Sequence, residues 1–127
     1  MIEKLYLEAT ATTPRIVLDK EGNKFLISGR SLPEDTETVY APVMDWLAAY
    51  KQEPNPTTEL VVTLDYYNSS SLRKIADIML TLKDMSQRSG NEVCVKWYYQ
   101  EGDDSSMQNA EDLKFACNIP FEIIEIS

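Results

Sequence analysis

The sequence predicts a single α/β domain, residues 1–127, in which a mixed β-sheet opens with an antiparallel hairpin and continues through a βαβ unit. Three observations predict it. Two apolar runs near the N-terminus flank a short polar loop that contains glycine. In mid-chain a β-branched run, a helical stripe and an alternating run follow one another. The length of 127 residues, with 43% apolar and 26% charged, suits one domain around one core.

The elements follow in order. Lys4-Leu5-Tyr6-Leu7 reads as a short strand before a Thr-rich loop and Pro14. Arg15-Ile16-Val17-Leu18 and Lys24-Phe25-Leu26-Ile27-Ser28, joined by Asp19-Lys20-Glu21-Gly22-Asn23, read as the hairpin. From Pro33 to Tyr50, Val39, Val43, Trp46, Leu47 and Tyr50 recur at helical spacing, with Asp35 or Thr36 able to cap the start. Pro42 interrupts the pattern and predicts a kink or a late helix start, because an interior proline costs roughly 3 kcal/mol. Leu60-Val61-Val62-Thr63-Leu64 suits a central strand covered on both faces. From Ser71 to Arg88, Leu72, Ile75, Met79, Leu82 and Met85 form one stripe, and Gly90 closes the helix. Glu92 to Tyr98 alternates as a strand, with Val93, Val95 and Trp97 on one face. Asp103 to Asn109 reads as a polar loop, Ala110 to Cys117 as a short helix and Phe121 to Ile126 as the last strand. A right-handed crossover makes the strands on either side of the Ser71–Arg88 helix parallel.

Composition narrows the function classes. The net charge of −9 opposes nucleic acid and anionic lipid, and favours a protein partner. With no histidine, the commonest general base is missing, and with it the Ser-His and Cys-His nucleophile pairs. A non-enzyme without a cofactor is expected. Cys94 and Cys117 match no zinc spacing and read as free buried thiols. Asp103 and Asp104, with Glu101 and Glu111, read as a solvated acidic loop rather than a metal site. Trp46 and Trp97 read as core. The apolar runs are too short to cross a bilayer, and Met1-Ile2-Glu3-Lys4-Leu5 lacks the pattern of a signal peptide, so a cytoplasmic place is expected.

The candidate site is Tyr66-Tyr67-Asn68-Ser69-Ser70-Ser71, where a parallel strand passes into a helix. One cap needs one Asn or Ser, and this junction has four in a row. A helix N-terminus favours negative charge, so a phosphate here suits the fold, while a partner covering the junction must accommodate it. Tyr67, Asn68, Ser69, Ser70 and Ser71 are therefore the expected partner-binding residues. A different class remains open: Ser71-Leu72-Arg73-Lys74 spells S-x-x-K, so a hydrolase with Ser71 as nucleophile and Lys74 as base competes, as does a constitutive binding module.

Several segments resemble one family. Ile27-Ser28-Gly29-Arg30-Ser31-Leu32-Pro33-Glu34 is similar to the SGxSxPE segment of the SiaC family of bacterial regulatory phosphoproteins. Asp45-Trp46-Leu47, Leu64 to Ser71, Trp97-Tyr98-Tyr99 and Pro120-Phe121 resemble it too, in the family's order and at its length. The resemblance implies a fold similar to the STAS domains of anti-sigma-factor antagonists. It also implies a partner switch served by a serine/threonine kinase and a metal-dependent phosphatase. The unphosphorylated form would bind a diguanylate cyclase in biofilm and aggregation signalling. The family's acceptor threonine directly follows the asparagine, which places the expected phosphosite at Ser69, with Ser70 as a competing hydroxyl.

Overall fold

The computed structural model describes residues 2–127. Its elements are β1 (Leu5–Leu7), β2 (Arg15–Asp19), β3 (Lys24–Ser31), α1 (Thr36–Tyr50), β4 (Thr57–Tyr67), α2 (Ser69–Ser89), β5 (Glu92–Gln100), α3 (Asp104–Cys117) and β6 (Phe121–Ile126). The six strands form one mixed sheet in chain order. β1–β2 and β2–β3 are antiparallel, and every later pair is parallel.

Each connection from β3 to β6 contains a helix and steps one strand in the same direction. Right-handed crossovers of this kind put all three helices on one face. Packing of α1 on α2 and of α2 on α3 agrees with that single layer. The core lies between the layers. Phe25, Leu60 and Val95 form one row across the sheet, and Ile27, Val62 and Trp97 the next, all buried. Ile75, Ile78, Met79, Leu82 and Met85 of α2 meet them, each at most 2% exposed. Burial of each such side chain contributes roughly 1.5–3 kcal/mol. The opposite face of β4 carries Glu59, Val61 and Thr63, which are only half-buried. β4 is thus central but covered on one face, not two as its apolar run implied.

Boundaries correct the sequence reading in other places. α1 starts at Thr36, with Asp35 as its cap, and continues through Pro42 as one helix. Its start is not late: Pro42 stands in the second turn and removes one amide donor, while Tyr40, Val43, Trp46, Leu47 and Tyr50 still bury one face. Trp46 stacks on Tyr50 at 5.0 Å between centroids, and the Tyr50 hydroxyl lies 2.7 Å from that of Thr58. The stretch read as a polar loop, Asp103 to Asn109, is mostly helix. Asp103 caps α3 by accepting from the Ser106 amide, and Ser106 Oγ accepts from the buried Trp97 indole at 3.0 Å. Cys117 is buried, but Cys94 faces the open side of the sheet and is only half-buried.

Candidate functional site

The site is built at the carboxyl end of the parallel strands, where α1, α2 and α3 all begin. A bulge shapes it. β3 and β4 pair in regular register to Gly29↔Leu64 and resume at Arg30↔Tyr66, so Asp65 is the extra residue. Gly29 has φ +92°, a conformation that favours glycine. Adding one residue reverses which side of the strand each later side chain faces. Tyr67 consequently turns towards the helical layer. Its ring meets Trp97 edge-on at 6.0 Å, and its hydroxyl accepts from Asn109 Nδ2 at 2.8 Å. Tyr66 turns outwards, 60% exposed, with the Arg30 guanidinium 5.2 Å above its ring.

Asn68 then ends the strand and caps α2. Its Oδ1 accepts from the Ser71 amide at 2.9 Å, and its own amide donates to the Ser31 carbonyl at 3.1 Å. The three serines that follow have different surroundings. Ser71 is fully buried: its hydroxyl donates to the Ser31 carbonyl at 2.8 Å and accepts from Ser31 Oγ at 2.7 Å. Ser31 Oγ in turn lies 2.7 Å from the hydroxyl of Tyr40, whose pKa is raised by burial. Ser70 is half-buried, donating to Asn68 Oδ1 at 3.1 Å and lying 2.7 Å from the Thr36 hydroxyl of α1. Ser69 is exposed, and its hydroxyl has no hydrogen bond among the described residues.

Beside Ser69 runs an open groove of about 820 Å³ between the starts of α2 and α3, with Asp65, Tyr66, Leu72, Asp103 and Asn109 in its walls. Two carboxylates and no cationic side chain line it. Among the described residues no group of three or more metal-ligating side chains comes together.

This geometry can be set against known proteins. Residues 7–126 match the family model described as SiaC family regulatory phosphoprotein. The chain belongs to the SiaC family. A solved SiaC of Pseudomonas aeruginosa is 26% identical, with a TM-score of 0.88, and the match covers 98% of this chain and all of that one. SiaC of the same organism, solved in complex with the diguanylate cyclase SiaD that it activates, is 27% identical over 96% of this chain and 99% of that one, with a TM-score of 0.86. An uncharacterised protein of Pseudomonas aeruginosa (strain UCBPP-PA14) is 29% identical over 94% of each chain.

The SiaC fold separates the residues grouped by sequence. Tyr67, Asn68 and Ser69 come together at the groove edge, Ser70 turns instead towards Thr36 of α1, and Ser71 shares neither surface. It is a correction to the expected partner-binding set: a side chain with no exposure contacts core atoms, not a partner. The hydrolase reading fails on the same ground. The Ser71 hydroxyl is closed to substrate and committed to Ser31, and the Lys74 ammonium is ion-paired with Glu37. Tyr66 and Leu72 belong to the groove surface, although neither is among the partner-binding residues expected from the sequence. The clue was available in Leu64-Asp65-Tyr66-Tyr67, where strict alternation breaks. Among the described residues no helix is long and apolar enough to cross a membrane.

Proposed function

We propose that this SiaC family phosphoprotein is a phosphorylation-controlled binding switch. Its unphosphorylated form binds and regulates an effector, a diguanylate cyclase, in biofilm and aggregation signalling in the cytoplasm. A serine/threonine kinase modifies Ser69 and a metal-dependent phosphatase restores it. The chain itself turns over no substrate.

One observation carries the choice of Ser69: of the three adjacent serines, it alone is exposed with an unengaged hydroxyl. Modification of Ser70 would break its contacts with Thr36 and Asn68, and modification of Ser71 would force a charge into the core. At Ser69 a phosphate meets the positive end of α2, which favours it by roughly 0.3–1 kcal/mol. It also stands at the edge of the groove. An effector seated there must desolvate the new charge, and disrupted charged contacts of that kind cost on the order of 2–5 kcal/mol. Support for a cyclase as the effector comes from the SiaC relative solved with SiaD.

Phosphopeptide mapping after reaction with the cognate kinase tests the site. Label confined to Ser69, and lost in Ser69→Ala, is the expected result. Full labelling of Ser69→Ala, at Ser70 or elsewhere, would overturn the assignment.

A further inference from the structure

A phosphate on Ser69 enters an uneven field. On the groove side Asp65 and Asp103 are like charges. On the other side of the first helical turn lies a shallow depression that holds the cations Arg73 and Lys74 among the acids Glu34, Asp35, Glu37 and Asp77. Lys74 is engaged with Glu37. Arg73 is exposed and makes no ion pair among the described residues. It follows Ser69 by four positions on α2, and residues so spaced are neighbours on one helix face. The order, anion before cation, is the better one for a helix. Arg30 is the other nearby guanidinium, but it lies over the Tyr66 ring on the outer face of the sheet.

We propose that Arg73 is the internal counter-ion of phosphorylated Ser69. Its guanidinium draws the phosphate along the first turn of α2, away from Asp65 and Asp103, and fixes the dianion in one place on the groove edge. Arg73 is a positioning residue: it confines the modification's charge so that a partner meets a localised group rather than a mobile one. A forked guanidinium suits a phosphate, and charge-assisted pairs are the stronger hydrogen bonds. This inference rests on Ser69 as the acceptor.

The test uses the full chain with phosphoserine incorporated at position 69 during synthesis, so its outcome does not depend on a kinase. The second ionisation of the phosphate is followed by phosphorus NMR against pH in wild type, Arg73→Lys, Arg73→Gln and Arg30→Gln, with thermal melts to confirm folding. The acids around both groups are present in every variant, so differences report the substituted cation. A surface pair of this spacing predicts a midpoint in Arg73→Gln higher than wild type by about 0.2–0.4 pH unit. Arg73→Lys should fall between them, Arg30→Gln should match wild type, and added salt should shrink the difference. Equal midpoints in wild type and Arg73→Gln overturn the proposal, as does a shift caused by Arg30→Gln alone. Should Arg73→Gln fail to fold, a wild-type midpoint in Arg73→Lys that is insensitive to salt also overturns it. Failure here with native label still on Ser69 rejects the counter-ion alone, whereas native label at another residue rejects the site.

Discussion

The hydroxyls of Ser31 and Ser71 lie 2.7 Å apart in a site closed to solvent, tying the last residue of β3 to the first turn of α2. Tyr40 extends the link to α1. The junction that presents Ser69 is therefore held from beneath by three elements, while Ser69 itself stays free. A stable platform with one loose hydroxyl suits a protein whose surface is modified without refolding.

Loss of that buried link should weaken the whole domain. Ser71→Ala leaves Ser31 Oγ short of a partner, and an unmet buried polar group costs about 1–3 kcal/mol. Ser69→Ala removes no contact and should stay within about 0.5 kcal/mol of wild type. Urea denaturation of the two variants checks this. Equal midpoints would show that Ser71 is not the buried anchor described.

The cap on α2 should contribute separately. In Asn68→Ala the Ser71 amide and the Ser70 hydroxyl both lose their acceptor. The expected cost is about 0.5–2 kcal/mol, with Asn68→Asp close to wild type because aspartate caps equally well. Chemical denaturation measures both, and an Asn68→Ala protein as stable as wild type would contradict the cap.

The thiols give a pH prediction with a definite sign. Burial pushes the pKa of Cys117 up; burial first and then the nearby Glu59 push up that of Cys94. A group with a raised folded pKa contributes stability that is complete below its unfolded pKa and is lost as pH climbs through the folded value. Urea midpoints should therefore hold from neutral to mildly alkaline pH and fall above the ordinary thiol range. Alkylation by iodoacetamide at mildly alkaline pH should be slower in the folded than in the unfolded chain, most of all at Cys117. Equal rates in both states would contradict the burial described.

Local patterns made much of this fold legible. The hairpin from Arg15 to Ser28, the stripe from Leu72 to Met85 and the stop at Gly90 each depend on near neighbours in sequence, and each is present. Gly90 has φ +73°, the left-handed end its residue type favours. What the sequence hid was set by tertiary pairing. β4 extends to Thr57 and Tyr67 because β3 and β5 pair with polar residues there as well as with the apolar run. α3 begins at Asp104 because Asp103 caps it and Trp97 binds Ser106, neither of which is visible in apolar spacing. At the candidate site, the run of Asn and Ser marks the junction but does not rank its serines. Ser69, Ser70 and Ser71 are chemically alike, and only the positions of Ser31 and Thr36 distinguish them.

Under the proposed switch, a charge at Ser69 controls binding of the effector. Titration of the diguanylate cyclase with wild type, with Ser69→Asp and with the chain phosphorylated at Ser69 tests it most directly, with melts of all three alongside. A desolvation cost at the lower end of about 2 kcal/mol already predicts more than tenfold weaker binding. Phosphate should weaken it further than aspartate, because it carries about −1.5 to −2 charges. Unchanged melts with that ordered loss of affinity are the predicted result. Equal affinity of all three forms at matched stability would contradict the switch.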